Sequence, residues 1–294
     1  MALAALSGDE QLVIFSRLCN VLDPGVAVAF GSASSELREL TQAPCQQLQA
    51  DHEAAAALGR KAGKRSCKAL REAKGVVWRH KGLSSDDLAL LGTLGSVLPA
   101  LESLRLCEPA AGPDGVQRLA EKLGAGALPA LTSLDIYGGT HVGDAGASAL
   151  AAALGRGALP RLKTLYLGST ALGDDLHSTA IGDAGLVALA PALRRLPALE
   201  GLGLDRNPLG DEGLAALVAP PPPQAGAPPT TTGGLAKLKT LSLSNTQVSD
   251  DGCATLAAAL DRGALPALKV PYLAGVPASA AAQSAVFAAR SLSS

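Results

Sequence analysis

LPRLKTLYL, residues 159–167, is the stretch on which the fold turns, because its frame L-x-x-L-x-x-L-x-L returns along the chain. Upstream it reads LPALESLRL from Leu98 and LPALTSLDI from Leu128. Downstream it reads LPALEGLGL from Leu196, LAKLKTLSL from Leu235 and LPALKVPYL from Leu265. The first leucines lie 30, 31, 37, 39 and 30 residues apart. Leu70, Ala73, Val76, Trp78 and Leu83 fall on the same frame and add an earlier unit, 28 residues before Leu98. A period of this length means stacked units, each burying its apolar face on its neighbours, rather than one globular core.

Both long units carry an insertion. STALGD from Ser169 recurs as STAIGD from Ser178, a nine-residue local duplication in the turn. Residues 219–234, APPPPQAGAPPTTTGG, hold prolines that cannot donate to a helix or ladder, so an exposed loop with extended stretches is expected.

Within a unit, alternation along the strand sends Leu165 and Leu167 inward and Tyr166 and Gly168 to the other face. Asn207 stands at the position where repeats that this frame resembles use a side chain to bond the turn backbone. Thr170, Thr246, Gly139 and Pro109 hold that place elsewhere, so the asparagine ladder is incomplete. Asp144, Asp183, Asp211 and Asp250 then mark helix starts whose N–H groups need an acceptor. Gly146, Gly185, Gly213 and Gly252 follow at a fixed offset, where close packing leaves no room for a side chain. Pairs four apart, such as Leu150 with Leu154 and Leu256 with Leu260, give one helical face. Trp78 takes an inward, core position. The expected fold class is α/β, a solenoid with a parallel concave sheet and outer helices.

These units resemble leucine-rich repeats over residues 70 to about 275, and their length and outer helices are similar to the ribonuclease-inhibitor-like class. Members of that class bind proteins, which implies a non-catalytic interaction module. One branch comprises Ran GTPase-activating proteins, which implies a small-GTPase regulator as a further role beside a plain scaffold.

The 48% hydrophobic content is mostly Ala and Leu with only 2% aromatic, so burial comes from many small contacts. A formal net charge of −1 gives no global field for nucleic acid or an anionic membrane, and neither is an expected partner. Five scattered cysteines without a C-x-x-C pair fit reduced thiols rather than a disulfide framework or zinc site. MALAALSGDE has neither a basic start nor a long apolar run. Together these predict a cytoplasmic or nuclear chain.

Residues 1–69 lie outside the frame and form a helical segment ahead of the repeat domain, residues 70–294. Leu12, Ile14, Phe15 and Leu18 give an apolar face, Asp23-Pro24-Gly25 a turn, and Val26, Val28, Phe30, Leu37 and Leu40 a second and third short helix. Leu6, Asp9, Ile14, Phe15 and Leu18 resemble the opening of an F-box, with Ser7 where proline is usual and without the late tryptophan. The resemblance implies that Leu6, Ile14, Phe15 and Leu18 meet a Skp-type adaptor and that the chain is a substrate receptor of a cullin-type ubiquitin ligase. The same apolar spacing suits a helical cap on the solenoid.

Catalytic signals fail on inspection. Gly59 to Ser66 has three residues between its glycines, Arg65 where a phosphate loop has a hydroxyl, and no strand before it. It reads as a solvated helix face, and six basic residues from Arg60 to Arg71 read as an acidic-partner or nuclear-import patch. Asp174, Asp175 and His177 cluster in the duplicated turn without a fourth metal ligand. No catalytic residue, metal or cofactor is expected.

Function is expected on the outward strand positions, the concave face. Arg105, Asp135, Tyr137, Tyr166, Asp205, Ser242 and Tyr272 are the candidate partner-binding residues, and all three tyrosines of the chain are among them. Tyrosine brings a large contact area at low rotamer cost and is enriched in binding hot spots with arginine.

Overall fold

A computed structural model of the chain describes residues 6–168, 179–220 and 235–292. Three helices come first, α1 (Gly8–Leu18), α2 (Gly25–Gly31) and α3 (Ser35–Lys61), followed by the short α4 (Cys67–Arg71). Strands and helices then alternate: β1 (Gly75–Arg79), α5 (Ser85–Thr93), β2 (Ser103–Cys107), α6 (Gly115–Lys122), β3 (Ser133–Ile136), α7 (Gly143–Gly155) and β4 (Thr164–Leu167). The alternation continues with α8 (Asp183–Leu193), β5 (Gly201–Gly203), α9 (Asp211–Val218), β6 (Thr240–Ser242), α10 (Asp250–Asp261), β7 (Val270–Tyr272) and α11 (Ala280–Leu292).

The seven strands form one parallel sheet in chain order, so each unit pairs with the next. Register is set by the leucine frame: Leu104 pairs with Leu134, Leu134 with Leu165, Leu165 with Leu202 and Leu202 with Leu241. All of these are buried, as are Leu106, Ile136, Leu167, Leu204 and Leu243 two residues on. A one-residue slip would carry a whole strand's leucines to the open face, which is why the frame is kept. The helices stack on the other side of this core, with Leu119, Leu150, Leu189, Leu214 and Leu256 packed inward. Trp78 is fully buried, as expected. Among the described residues its indole N–H has no hydrogen-bond partner.

At the helix starts the aspartates act across units. Asp144 Oδ1 accepts from Gly182 N (2.7 Å) and Gly185 N (3.0 Å) of the next unit. Asp183 Oδ1 does the same for Gly210 N (2.7 Å) and Gly213 N (2.9 Å). Asp211 Oδ1 receives Ser249 N at 2.8 Å, and Asp250 Oδ1 receives Ser279 N at 2.5 Å. Each carboxylate therefore satisfies the orphan N–H groups of the following helix instead of its own, with charge placed favourably at the dipole's positive end. This explains the spaced glycines. A Cβ on Gly213 would stand 2.8 Å from Asp183 Oδ1, and one on Gly185 would stand 2.5 Å from Asp144 Oδ1. No unit of this kind precedes α5, and it carries its own capping box instead: Asp87 N donates to Ser84 Oγ (3.2 Å) and Ser84 N to Asp87 Oδ2 (2.8 Å).

The turn ladder is fuller than the expectation built on Asn207 alone. Asn207 is buried, accepting from Ile181 N (3.0 Å) and donating to Leu167 O (2.6 Å). In two other units the work falls one residue from the expected place. Glu108, not Pro109, is fully buried and accepts from Lys81 N (2.7 Å), Gly82 N (3.0 Å) and Leu83 N (3.2 Å). Thr140, not Gly139, receives Glu108 N at 2.6 Å. Thr179, from the second copy of the duplicated turn, is buried and donates to Asn207 Oδ1 (2.9 Å). Thr170, the first copy with Asp174, Asp175 and His177, and most of the proline-rich insertion lie outside the described residues.

The N-terminal segment departs from expectation in one element. The third helix is not short: α3 runs 27 residues, straight through Pro44. Its length has a use, since Ala55 and Leu58 reach the solenoid core while Leu48 closes a small separate core with Phe15 and Ala27. Lys61 at the end of α3 pairs with Asp87 of α5 at 2.5 Å. Among the described residues no helix is long and apolar enough to cross a membrane.

Candidate functional site

Strand register lays the outward side chains in a line. Val77, Arg105, Asp135, Tyr166, Gly203, Ser242 and Tyr272 are successive partners from β1 to β7. Arg79 and Cys107 begin a second line two residues further on, where Tyr137, Asp205 and Ser244 follow their strands. The candidate residues are thus brought together on one face. Their burial differs, however, because neighbours of unequal size alternate along the line.

Arg105 Nε sits 2.9 Å from Asp135 Oδ2, and Ser133 Oγ donates to the other oxygen at 3.0 Å. Asp135 is only 9% exposed, so it acts as the buried anchor of Arg105 and is not an open contact residue. Asp205 Oδ1 is likewise engaged, by Ser242 Oγ and by Ser244 N at 3.2 Å. Cys107, two residues beyond Arg105 on β2, is fully buried and donates to Gly138 O at 3.3 Å, with His80 Nε2 3.9 Å away. Both acids are held in place by neighbours within the sheet face, which leaves the exposed Arg105 and the tyrosines as the accessible groups.

Tyr166 lies across β5. A Cβ on Gly203 would overlap its Cδ1, and one on Gly201 would come 3.7 Å from its hydroxyl. Two glycines in a strand are costly locally, but here they form the floor on which the ring rests. Burial raises the Tyr166 hydroxyl pKa, and the negative charges of Asp135 and Asp205 and the nearby Tyr272 add to this. Tyr137 also has a raised pKa, from burial and from Cys107 and Asp135, opposed by Arg79 and Arg105. Tyr137 is two residues beyond the register position paired with Tyr166, so the two rings stand diagonally rather than side by side. Tyr272 is 49% exposed. Both half-buried phenols stay neutral donors at neutral pH.

Of the candidate adaptor contacts, Phe15 is withdrawn. It is 3% exposed and packs in the small N-terminal core, while Leu6, Ile14 and Leu18 are half-buried. Of the false phosphate loop, read as a solvated helix face, only Gly59 to Lys61 belong to α3, with Gly59 buried, and residues 62–66 form the turn after it. Among the described residues no group of three or more His, Cys, Asp and Glu side chains could hold a metal ion. Sequence reasoning missed Glu108, whose signal was an acid on the strand-to-turn frame where a solvated charge is not affordable.

A family model described as "Leucine Rich repeat" matches residues 128–151 and 234–257. Those two stretches match leucine-rich repeats by sequence. No curated protein matches its sequence. Among solved structures it is similar to that of the TLR13–ssRNA13 complex, with 19% identity and a TM-score of 0.37 over 71% of this chain and 23% of that one. It is also similar to a pollen receptor kinase 3, with 20% identity, a TM-score of 0.34, and 70% and 75% of the two chains covered. An internalin (InlF) from Listeria monocytogenes aligns at 12% identity and a TM-score of 0.28, over 82% and 86% of the chains. The chain thus spans under a quarter of the first of these structures. With the seven-stranded parallel sheet and its outer helices, the leucine-rich-repeat solenoid is the fold of this protein.

Proposed function

We propose that this leucine-rich-repeat protein holds a protein partner on the concave face of its sheet, without catalysis of its own. The observation that carries the reading is the line Arg105–Asp135–Tyr166–Gly203–Ser242–Tyr272, where a buried acid fixes an arginine and two glycines seat a tyrosine. Rigid aromatics with polar tips beside a positioned guanidinium are the side chains that dominate protein interfaces. We infer further that the repeats are of the ribonuclease-inhibitor-like class, a reading that the helix following each strand supports.

The N-terminal segment, residues 1–69 in our division, serves as the cap of the solenoid. Ala55 and Leu58 in the repeat core and the Lys61–Asp87 pair support that role. A ubiquitin-ligase receptor role rests on the apolar spacing around Ile14 and Phe15, and Phe15 already fills the segment's own core.

The test is to recover a partner with the intact protein from its own cells and repeat the capture with Tyr166→Ala/Tyr272→Ala. We expect binding weakened by about 1–4 kcal/mol with thermal stability little changed. Equal capture by a folded double variant would reject the concave site.

A further inference from the structure

The sheet has two ends, and only one is closed. In β7, Val270 N donates to Lys239 O (3.1 Å) and Tyr272 O accepts from Leu243 N (2.9 Å), so residues 270 and 272 turn their main chain toward β6. Residue 271 turns outward, and it is proline, with no N–H to offer. In β1, Lys74 O accepts from Ser103 N (3.0 Å) and His80 N donates to Cys107 O (3.0 Å). Even-numbered residues therefore face β2, and alternation turns the main-chain groups of Gly75 and Val77 to the other side. There, among the described residues, β1 has no strand neighbour.

The open side is built to pair. Val76, Val77 and Trp78 favour extended backbone, no proline interrupts them, and a Cβ on Gly75 would meet nothing within 4 Å. The side chain of Val77 is 53% exposed. Edge strands are usually blunted by proline, as β7 is, or by charge. Here the charge is mostly basic. Residues 60–81 contain nine Lys and Arg and a single acid, Glu72, in a chain whose net charge is −1. Lys68 and Lys74 are 82% and 79% exposed; Glu72 stands 3.9 Å from the first and Glu102 3.4 Å from the second. Asp23 also lines the hollow that holds Lys68, Arg71 and Glu72, and with Lys81 and Arg79 added the bases still outnumber the acids beside this edge.

We propose that the β1 edge takes up an extended acidic segment of a partner protein as an added strand. Its main chain pairs with Gly75 and Val77, and its carboxylates meet Lys68, Arg71, Lys74 and Lys81. A second copy of this chain does not fit: β1 against β1 brings like charges together, and β1 against β7 meets Pro271. The site uses the strand edge rather than the sheet face, so it stands independently of the concave surface.

The test uses the full chain and a fluorescent eight-residue peptide of alternating glutamate and threonine. Its counterparts are the same peptide N-methylated at alternate residues, a lysine–threonine version and a single-stranded oligonucleotide of equal length. We expect the acidic peptide to bind and to shift the emission of Trp78, the only tryptophan. N-methylation and Val77→Pro should each weaken binding at least tenfold, and Lys74→Glu/Lys81→Glu, at exposed positions, should do so without changing the melting temperature. No binding, equal binding of the N-methylated peptide, or tighter oligonucleotide binding in both wild type and Val77→Pro overturns the proposal. If Val77→Pro fails to fold, the N-methylated peptide and the charge-reversed variant decide alone.

Discussion

The outer edge where the helices begin and the inner face of the sheet are made by the same units, yet one repeats and the other does not. From α7 onward the outer edge shows one device four times: an aspartate reaching forward to the N–H groups of the next unit, with a glycine at three of the helix starts leaving it room. The inner face changes residue at every step, from valine to arginine, acid, tyrosine, glycine, serine and tyrosine. A feature that recurs unchanged to join one unit to the next is a stability device. A line free to differ from unit to unit is where recognition can be written.

The largest test of that contrast is made on two adjacent residues of β4. Leu165→Ala removes a side chain that is 2% exposed and should cost about 2–5 kcal/mol in denaturant unfolding. Tyr166→Ala, on the opposite face, should change stability by well under half as much. Equal losses would mean that the inner face is also structural. Next in size is the outer ladder. Asp183→Ala leaves Gly210 N and Gly213 N without their acceptor and should cost about 0.5–2 kcal/mol, as loss of an N-cap does. Because the bond joins two units, hydrogen exchange should rise at the start of α9 rather than at the start of α8. Faster exchange at α8 alone would show that the carboxylate serves its own helix.

How far the sequence reached follows the same division. The frame of Leu98, Leu128, Leu159, Leu196, Leu235 and Leu265 was enough for the strand order, the inward leucines and the burial of Trp78, because period and alternation are local properties. What the aspartates bond to was not legible, since spacing within a unit is silent about which neighbour lies within reach after stacking. Glu108 and Thr140 escaped for a related reason: the turn backbone shifts by one residue where Pro109–Ala111 winds a 3-10 turn and where Gly138 and Gly139 adopt positive φ. The third helix was expected to be short, yet α3 runs on through Pro44, packed by Leu48 against Phe15 and by Ala55 and Leu58 against the repeat core. On the inner face the residues were legible and their engagement was not. Asp135 and Asp205 read as free charges until their neighbours were placed.

The smallest effect belongs to the first helix start, where the forward-reaching carboxylate of a preceding unit is replaced by Lys61 and the capping box of Asp87. Burial pushes the Asp87 carboxyl up, but the Lys61 ammonium and the Ser84 N–H and hydroxyl pull it down further, and the net shift is below the ordinary value of 3.8. A depressed folded-state pKa stabilises the protein above the unfolded value, and that contribution is lost as pH falls through the folded one. Wild type should therefore exceed Asp87→Asn in stability at pH 5, by less than about 1 kcal/mol given that Lys61 is partly solvated. The gap should close on acidification below the usual carboxylate range. The change should appear in the docking of α3 on α5, read by proteolysis near Lys61, before it appears in the melting of the repeats. A gap that persists undiminished in acid would mean that Asp87 acts through shape rather than charge, and the first unit would then be held to its cap by the apolar contacts of Ala55 and Leu58 alone.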